Sequence, residues 1–419
     1  MLKNEITQAL GAMELRFDQK NVELEYAPVT NYASKVVRRQ QFGRNIAIWS
    51  AVVDAALAET GSVYFPASDE AYYIDRPIVL DSGMHVKADA SAVIRLVDGA
   101  KTCMLRNLNL EVVHGTAPAG KPTKRDCDIS VTGGVWDHAS TKRNHADVKE
   151  DANPTLYQAW GLCLFLNVSR ISFTDMRVMR SPGYGFLVAN GEDLLVRGIR
   201  YEDCLSDGVH VQGPFKNIVI KDMSGVTGDD FFALTAWTEE VSEGPLDCAW
   251  VKGMRMEGGH RGMRLLASDG RQSGHPVTNV VVEDVTGTRD CKLYPCVPSG
   301  EVTRELGSMD WIYLENIDFL DSYALYGYRW NGCIQVHTNI GHLHLKNIRG
   351  CRPSVTVGPV AMAFTATTSP GYTLKFDADL DCTVDNLVLE DFPEDERNSI
   401  VELVSGKHGK GKVRNLSFK

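Results

Sequence analysis

The chain of 419 residues carries 44 Lys and Arg against 54 Asp and Glu, a formal net charge of −10, with 43% hydrophobic and 23% charged residues. This balance excludes a disordered chain and argues against nucleic acid as a main partner. No apolar run approaches the roughly 20 residues that cross a bilayer, so no membrane partner is expected, and the 37 glycines favour a turn-rich β architecture.

In chain order, residues 1–45 read as a polar, solvated lead-in with a basic stretch at Lys35–Arg39. Met1-Leu2-Lys3-Asn4-Glu5 lacks the apolar core of a secretory signal. A cytoplasmic, a phage-particle and a signal-cleaved secreted location all stay open. Residues 46–59 give a helix with Ile46, Trp49, Val53, Ala56 and Leu57 on one face, ended by Thr60-Gly61. Beyond it the pattern changes to short alternating runs such as Val63–Phe65, Ile78–Leu80 and Val93–Leu96, set between Gly, Asn and Asp turns. The ten cysteines are scattered without a CxxC pair, several in apolar context, and read as buried reduced thiols rather than a zinc site.

An internal repeat organises the remainder. The frame apolar-x-apolar-x-(Asp/Asn/Gly)-apolar places its turn residue at Asp175, Gly198, Asp222, Gly253, Asp284, Asn316, Asn347 and Asp391. Each unit offers inward apolar residues two apart, then a residue tolerant of a sharp turn. Coils of this kind stacked on one another predict an all-β fold: a right-handed single-stranded parallel β-helix over residues 46–419, with helix 46–59 as a short N-terminal capping helix. The Leu-x-x-Leu-x-Leu frame of leucine-rich repeats is absent.

Stacking turns sequence offsets into neighbours, because successive coils lie about 4.8 Å apart. Counted from the turn residues, Asp207, the pair Asp229-Asp230, His260 with Arg261, Lys292 with Arg289 nearby, and Tyr323 fall along one line over five coils. Like charges within about 4–6 Å raise at least one pKa, and a protonated carboxyl beside an ionised one is the acid/base pair that glycosidic cleavage needs. Cations beyond it suit an acidic sugar's carboxylate. Trp237, Trp311, Trp330 and the group Tyr323, Tyr326 and Tyr328 either stack on sugar faces or pack against loops.

The segments Ser206-Asp207-Gly208-Val209-His210-Val211 and Thr227-Gly228-Asp229-Asp230-Phe231-Phe232 resemble the Asn-Thr-Asp and Gly-Asp-Asp motifs of glycoside hydrolase family 28, the polygalacturonases and their relatives. Gly61–Pro66 and Gly133–Asp137 resemble the first segments of the wider pectate-lyase-like superfamily. The resemblance implies an inverting hydrolase of a polysaccharide or oligosaccharide, with uronic acid expected in the substrate. It implies Asp229 as general acid, Asp207 and Asp230 as activators of the attacking water, and His260 as support for the acid. Arg261, Arg264, Arg289, Lys292 and Tyr323 are then the candidate substrate contacts, with no metal and no organic cofactor. The chain departs from the family where Leu205 replaces the motif's Asn, where Gly259-His260-Arg261 replaces Gly-His-Gly, and in having no Arg-Ile-Lys.

Two other readings stay open. A lyase or uronate epimerase on the same solenoid would abstract a C5 proton with His260, Arg264, Lys292 or Tyr323. A phage tailspike-type protein would bind or degrade a surface glycan. The assembly is accordingly expected to be a monomer or a homotrimer.

Overall fold

The computed structural model describes residues 2–22, 24–41, 43–100, 102–110, 124–140, 161–236, 242–259, 262–267, 275–288, 291–294, 308–319, 334–336, 338–350, 355–357, 381–392, 394, 397, 400–403, 405–406 and 409–419. The chain winds into a parallel β-helix. Among the described residues the strand pairings are parallel, apart from two short antiparallel ones, 37–41 with 44–48 and 405–406 with 409–410. One core stack runs in register through Val131, Phe173, Val196, Ile220, Val251, Val282, Leu314, Leu345 and Leu389. A second runs through Val188, Val211, Leu234, Leu265, Leu293, Val336 and Val357. All of these side chains are buried in one continuous core. Strand alternation sends the residues between them to the outside of the coil.

The repeat frame is visible in the backbone. Asp175, Gly198, Asp222, Gly253, Asp284, Asn316, Asn347 and Asp391, the turn residues of the frame, all have φ between 51° and 71°. Only Gly, Asn and Asp enter this left-handed region at low cost. Part of the column is tied together by side chains: Asn347 Nδ2 donates to Asn316 Oδ1 at 2.8 Å, and Asn316 Nδ2 to Asp284 Oδ1 at 2.9 Å. A second column, unforeseen in the sequence, lies five residues earlier at Arg170, Asp193, Asn217, Cys248, Asn279 and Trp311, with φ between 52° and 61°.

The N-terminal region differs from expectation in two ways. The capping helix is shorter than 46–59: α2 spans Ser50–Thr60, and Arg44–Ile48 is a strand. Ile46-Ala47-Ile48 alternates as a strand does, and it pairs back on Val37–Gln41. α2 buries Val52, Val53, Ala56 and Leu57 against the first coils and ends at Gly61, whose φ is 71°. The lead-in is not simply solvated, since Ala27 and Pro28 pair with Val63 and Tyr64. Helix α1, Lys3–Val22, lies on the outside of the coils. Its Ile6, Leu10 and Met13 are buried with Leu195, Val219, Cys248, Val281 and Tyr313.

Ion pairs fix α1 along its length. Lys3 Nζ stands 2.5 Å from Glu315 and 2.8 Å from Glu283; Arg197 reaches Glu14 at 2.9 Å and Asp18 at 2.7 Å; Lys221 pairs with Glu14; and Lys20 Nζ lies 2.6 Å from Asp128. Arg170 and Lys20 hold the Asp128 carboxyl well below the usual carboxylate range. For Glu283, burial pushes the carboxyl up, but Lys3 and Lys252 outweigh it and leave it lowered.

Leu10→Ala should cost about 2–5 kcal/mol, the usual range for a buried leucine, read as a lower urea midpoint. Because the folded-state pKa values of Asp128 and Glu283 lie below their unfolded values of about 4, their contribution is complete above that pH. It is lost as pH falls through the folded values. Limited proteolysis within residues 2–22 should therefore accelerate in acid, below about pH 4.

Candidate active site

The site is built where two adjacent coils turn into the second core stack. Asp207 precedes the strand Val209–Thr227, and Asp230 precedes the strand Phe232–Thr235, which pairs with it through Val209 and Phe232. Two glycines permit the approach. A Cβ on Gly208 would stand 2.5 Å from Phe231 O, and one on Gly228 would stand 2.3 Å from Leu205 O, closer than any real Cβ comes. The offsets of Asp207 and Asp230 from their turn residues differ by one, and a register shift between Tyr201 and Cys204 absorbs the difference.

Asp207, Asp229 and Asp230 are thereby brought together, each offering an oxygen within 4.8 Å of the others. Their surroundings differ. Asp207 is 1% exposed and Asp230 0%, whereas Asp229 is half-buried. Asp207 Oδ1 accepts the Asp230 backbone N–H at 3.2 Å, and His210 Nδ1 lies 2.7 Å from Asp207 Oδ2. Thr227 Oγ1 donates to the carbonyl of Asp229 at 3.0 Å and fixes the backbone that carries this least buried member. Beneath the site, burial pushes the Cys204 thiol up to about 12, so it stays a neutral thiol, donating to the Asp207 carbonyl at 3.5 Å.

Arg264 lies elsewhere than the sequence suggests. It was expected to contact substrate, but it is 6% exposed and turned onto the carboxylates. Its Nε stands 2.6 Å from Asp230 Oδ2 and its terminal nitrogen 3.5 Å from Asp207 Oδ2. Beside the second stack, strand positions 210, 233, 264, 292 and 335 stand in register. The neighbour of Arg264 on the preceding coil is the small Ala233, which leaves room for the guanidinium to turn towards Asp230 and Asp207. Three oxygens this close resemble the donor set of a hard cation, but the guanidinium already supplies the positive charge there.

Of the other predicted residues, Lys292 is described in its backbone alone, while His260, Arg261, Arg289 and Tyr323 lie outside the described residues, as do Trp237, Trp330, Tyr326 and Tyr328. Trp311 stacks on His342 with ring centroids 3.8 Å apart and packs against the cluster under α1. Leu205, in place of the motif's Asn, is held in the coil by its N–H on Ser181 O at 3.0 Å. His210 and Gln212 also stand here, although neither motif gives them a role. Val209 and Val211 point inward, so alternation alone sends both to the face that carries Arg264.

No protein-family model matches the chain, and no curated protein matches it. Solved structures do. The polygalacturonase from Erwinia carotovora ssp. carotovora superposes with a TM-score of 0.51 at 11% identity, over 89% of this chain and 94% of that one. A hyperthermoactive exopolygalacturonase from Thermotoga maritima gives 0.49 at 13%, over 94% and 92%, and PfbA, a surface adhesin of Streptococcus pneumoniae, gives 0.45 at 13%, over 94% and 91%. The fold is that of the polygalacturonase-like parallel β-helices.

Arg264→Met should leave two buried carboxylates without their cation and cost about 3–5 kcal/mol. Thermal melting measures it, and Arg264→Lys should recover part of the loss.

Proposed function

We propose that this chain is an inverting glycoside hydrolase acting on a polysaccharide that contains uronic acid. Asp229 is the general acid, and Asp207 and Asp230 polarise the attacking water. The observation that carries this reading is the division among the three carboxyl groups: two buried beside Arg264, one half-exposed, with oxygens within 4.8 Å of one another. Asp229, the least buried of the three, is the one placed to reach a leaving-group oxygen and give it a proton. The likeness of fold to a polygalacturonase supports a polysaccharide as the substrate.

Spacing alone does not point to inversion, because oxygens within 4.8 Å of one another lie nearer the retaining separation. Carboxyl pairs of inverting enzymes commonly stand about 6.5–9.5 Å apart and those of retaining enzymes about 5–5.5 Å. Burial is the observation that favours inversion. A retaining nucleophile must touch the anomeric carbon, and Asp207 and Asp230, at 1% and 0% exposure, lie deeper than Asp229. A carboxylate set behind the surface acts through a water, and a water delivered from the face opposite the leaving group inverts the centre. The C5-abstraction reading is weakened at one point, because Arg264, one of its candidate bases, is committed to Asp207 and Asp230.

Incubation with pectic and other acidic glycans should release reducing ends without the ultraviolet absorbance of an unsaturated product. Proton NMR at early times should show the inverted anomer. Absorbing product would establish a lyase, and a retained anomer would overturn the single displacement. Asp229→Asn should lower kcat about 10²–10⁴-fold with little change in KM. An aryl glycoside with a good leaving group should restore turnover to Asp229→Asn, which lacks only the acid, and should not restore it to Asp207→Asn.

A further inference from the structure

His210 is a buried titratable side chain that the proposed chemistry does not use. It is 0% exposed although it points away from the core, and Gln212, two residues on, is also 0% exposed. Its ring meets Tyr184 edge-on at 4.9 Å. Its two nitrogens face different partners, Asp207 Oδ2 at 2.7 Å from Nδ1 and Gln212 Nε2 at 3.4 Å from Nε2. Gln212 is itself oriented. Its Oε1 accepts the Ser242 backbone N–H at 3.3 Å, and Ser242 is held by its hydroxyl on the Gly213 carbonyl at 2.7 Å.

The direction of the chain follows from its far end. A backbone N–H only donates, so the Gln212 oxygen faces Ser242 and the Gln212 amide nitrogen faces the ring. An amide nitrogen also only donates. His210 Nε2 must therefore be the acceptor, the proton sits on Nδ1, and Nδ1–H donates to Asp207. A neutral imidazole with a fixed tautomer results, set by its second nitrogen's partner. The Arg264 terminal nitrogen approaches the same Asp207 oxygen at 3.5 Å, and the Asp230 N–H takes the other, so the carboxylate plane is held from three sides.

We propose that His210 is a positioning residue for Asp207. Held as the neutral Nδ1–H tautomer by Gln212 and Ser242, it fixes the orientation in which Asp207 meets the attacking water. The proposal rests on the hydrolase reading for its kinetic consequence and on geometry alone for the direction of the proton. It gives the strand Val209–Thr227 a function beyond packing, since the alternation that buries Val209 and Val211 aims His210 and Gln212 at the site.

The test has two arms on the full chain. In the first, two-bond proton–nitrogen spectra of histidine-labelled protein, with the His210 ring assigned by its loss in His210→Asn, should show a protonated Nδ1 and a bare Nε2. A proton on Nε2, or on both nitrogens, overturns the proposal. In the second, kinetics on a glycan that the wild type cleaves should show kcat for His210→Phe lowered roughly tenfold to hundredfold, the scale of a misplaced catalytic group, with KM held. His210→Asn, whose amide nitrogen takes the place of Nδ1, should keep most of the wild-type kcat. Equal loss in both variants, or no loss in His210→Phe, overturns the proposal. If His210→Phe does not fold, Gln212→Leu replaces it, with a smaller drop in kcat expected and an unchanged kcat counting against the proposal. A wild type silent on every glycan would sink the hydrolase reading, while the spectra would still decide the tautomer.

Discussion

The structure depends on one backbone constraint, a left-handed turn repeated once per coil. At Asp175, Gly198, Asp222 and their successors the chain must take a φ that most side chains resist. Once that corner is set, the strands on either side fall into parallel register, and register decides everything placed on the outside of the coil. The row His210, Ala233, Arg264 and Lys292 exists because the core residues beside it are stacked, and the carboxylates stand together because the coils that carry them turn at matched points. The site is a by-product of alignment in the core, which explains how loops between the turn residues can vary in length without dispersing it.

The turn column was legible in the sequence because the left-handed φ favours Gly, Asn and Asp and all eight positions hold one of them, whereas the second column, with Arg170, Cys248 and Trp311 at the same φ, carries no such mark. The carboxylates were legible for a similar reason, since Asp beside Asp at a predicted corner is hard to explain by packing. Other features were not. Ile46-Ala47-Ile48 satisfies both a helical and an alternating pattern, and its antiparallel partner at residues 37–41 decides for the strand. Ile6, Leu10, Met13 and Phe17 do form a helical stripe, but a stripe this thin in a polar segment reads as solvated until the face that receives it is known. Arg264 shows a different difficulty. Its place in the row follows from alternation, whereas its direction depends on Ala233 being small, a fact about space rather than about pattern.

The electrostatics of the site follow from how little water reaches it. Two carboxylates in a buried pocket would repel each other, and the coil above supplies a guanidinium in a place where bulk cations cannot follow. With its counter-charge built in, the arrangement is already assembled, which is the preorganisation that the proposed chemistry requires. On the hydrolase reading, half-buried Asp229 is the member left to meet a substrate.

Helix α1 changes how such a solenoid holds together. Stacked coils contact only their neighbours, so a solenoid resembles a one-dimensional chain of weakly linked units that can open from either end. From the coil of Asp128, paired with Lys20, to that of Glu315, paired with Lys3, there are six steps, about 29 Å at strand spacing. The residues between Lys3 and Lys20 span about 26 Å at 1.5 Å each, so the helix runs along the stack as a splint. Coils that never touch one another share a single rigid partner, and loosening one of them strains the grip on all the others. Fraying at the ends is thereby uncoupled from the middle, and the carboxylates, carried on coils within the splinted span, are shielded from it.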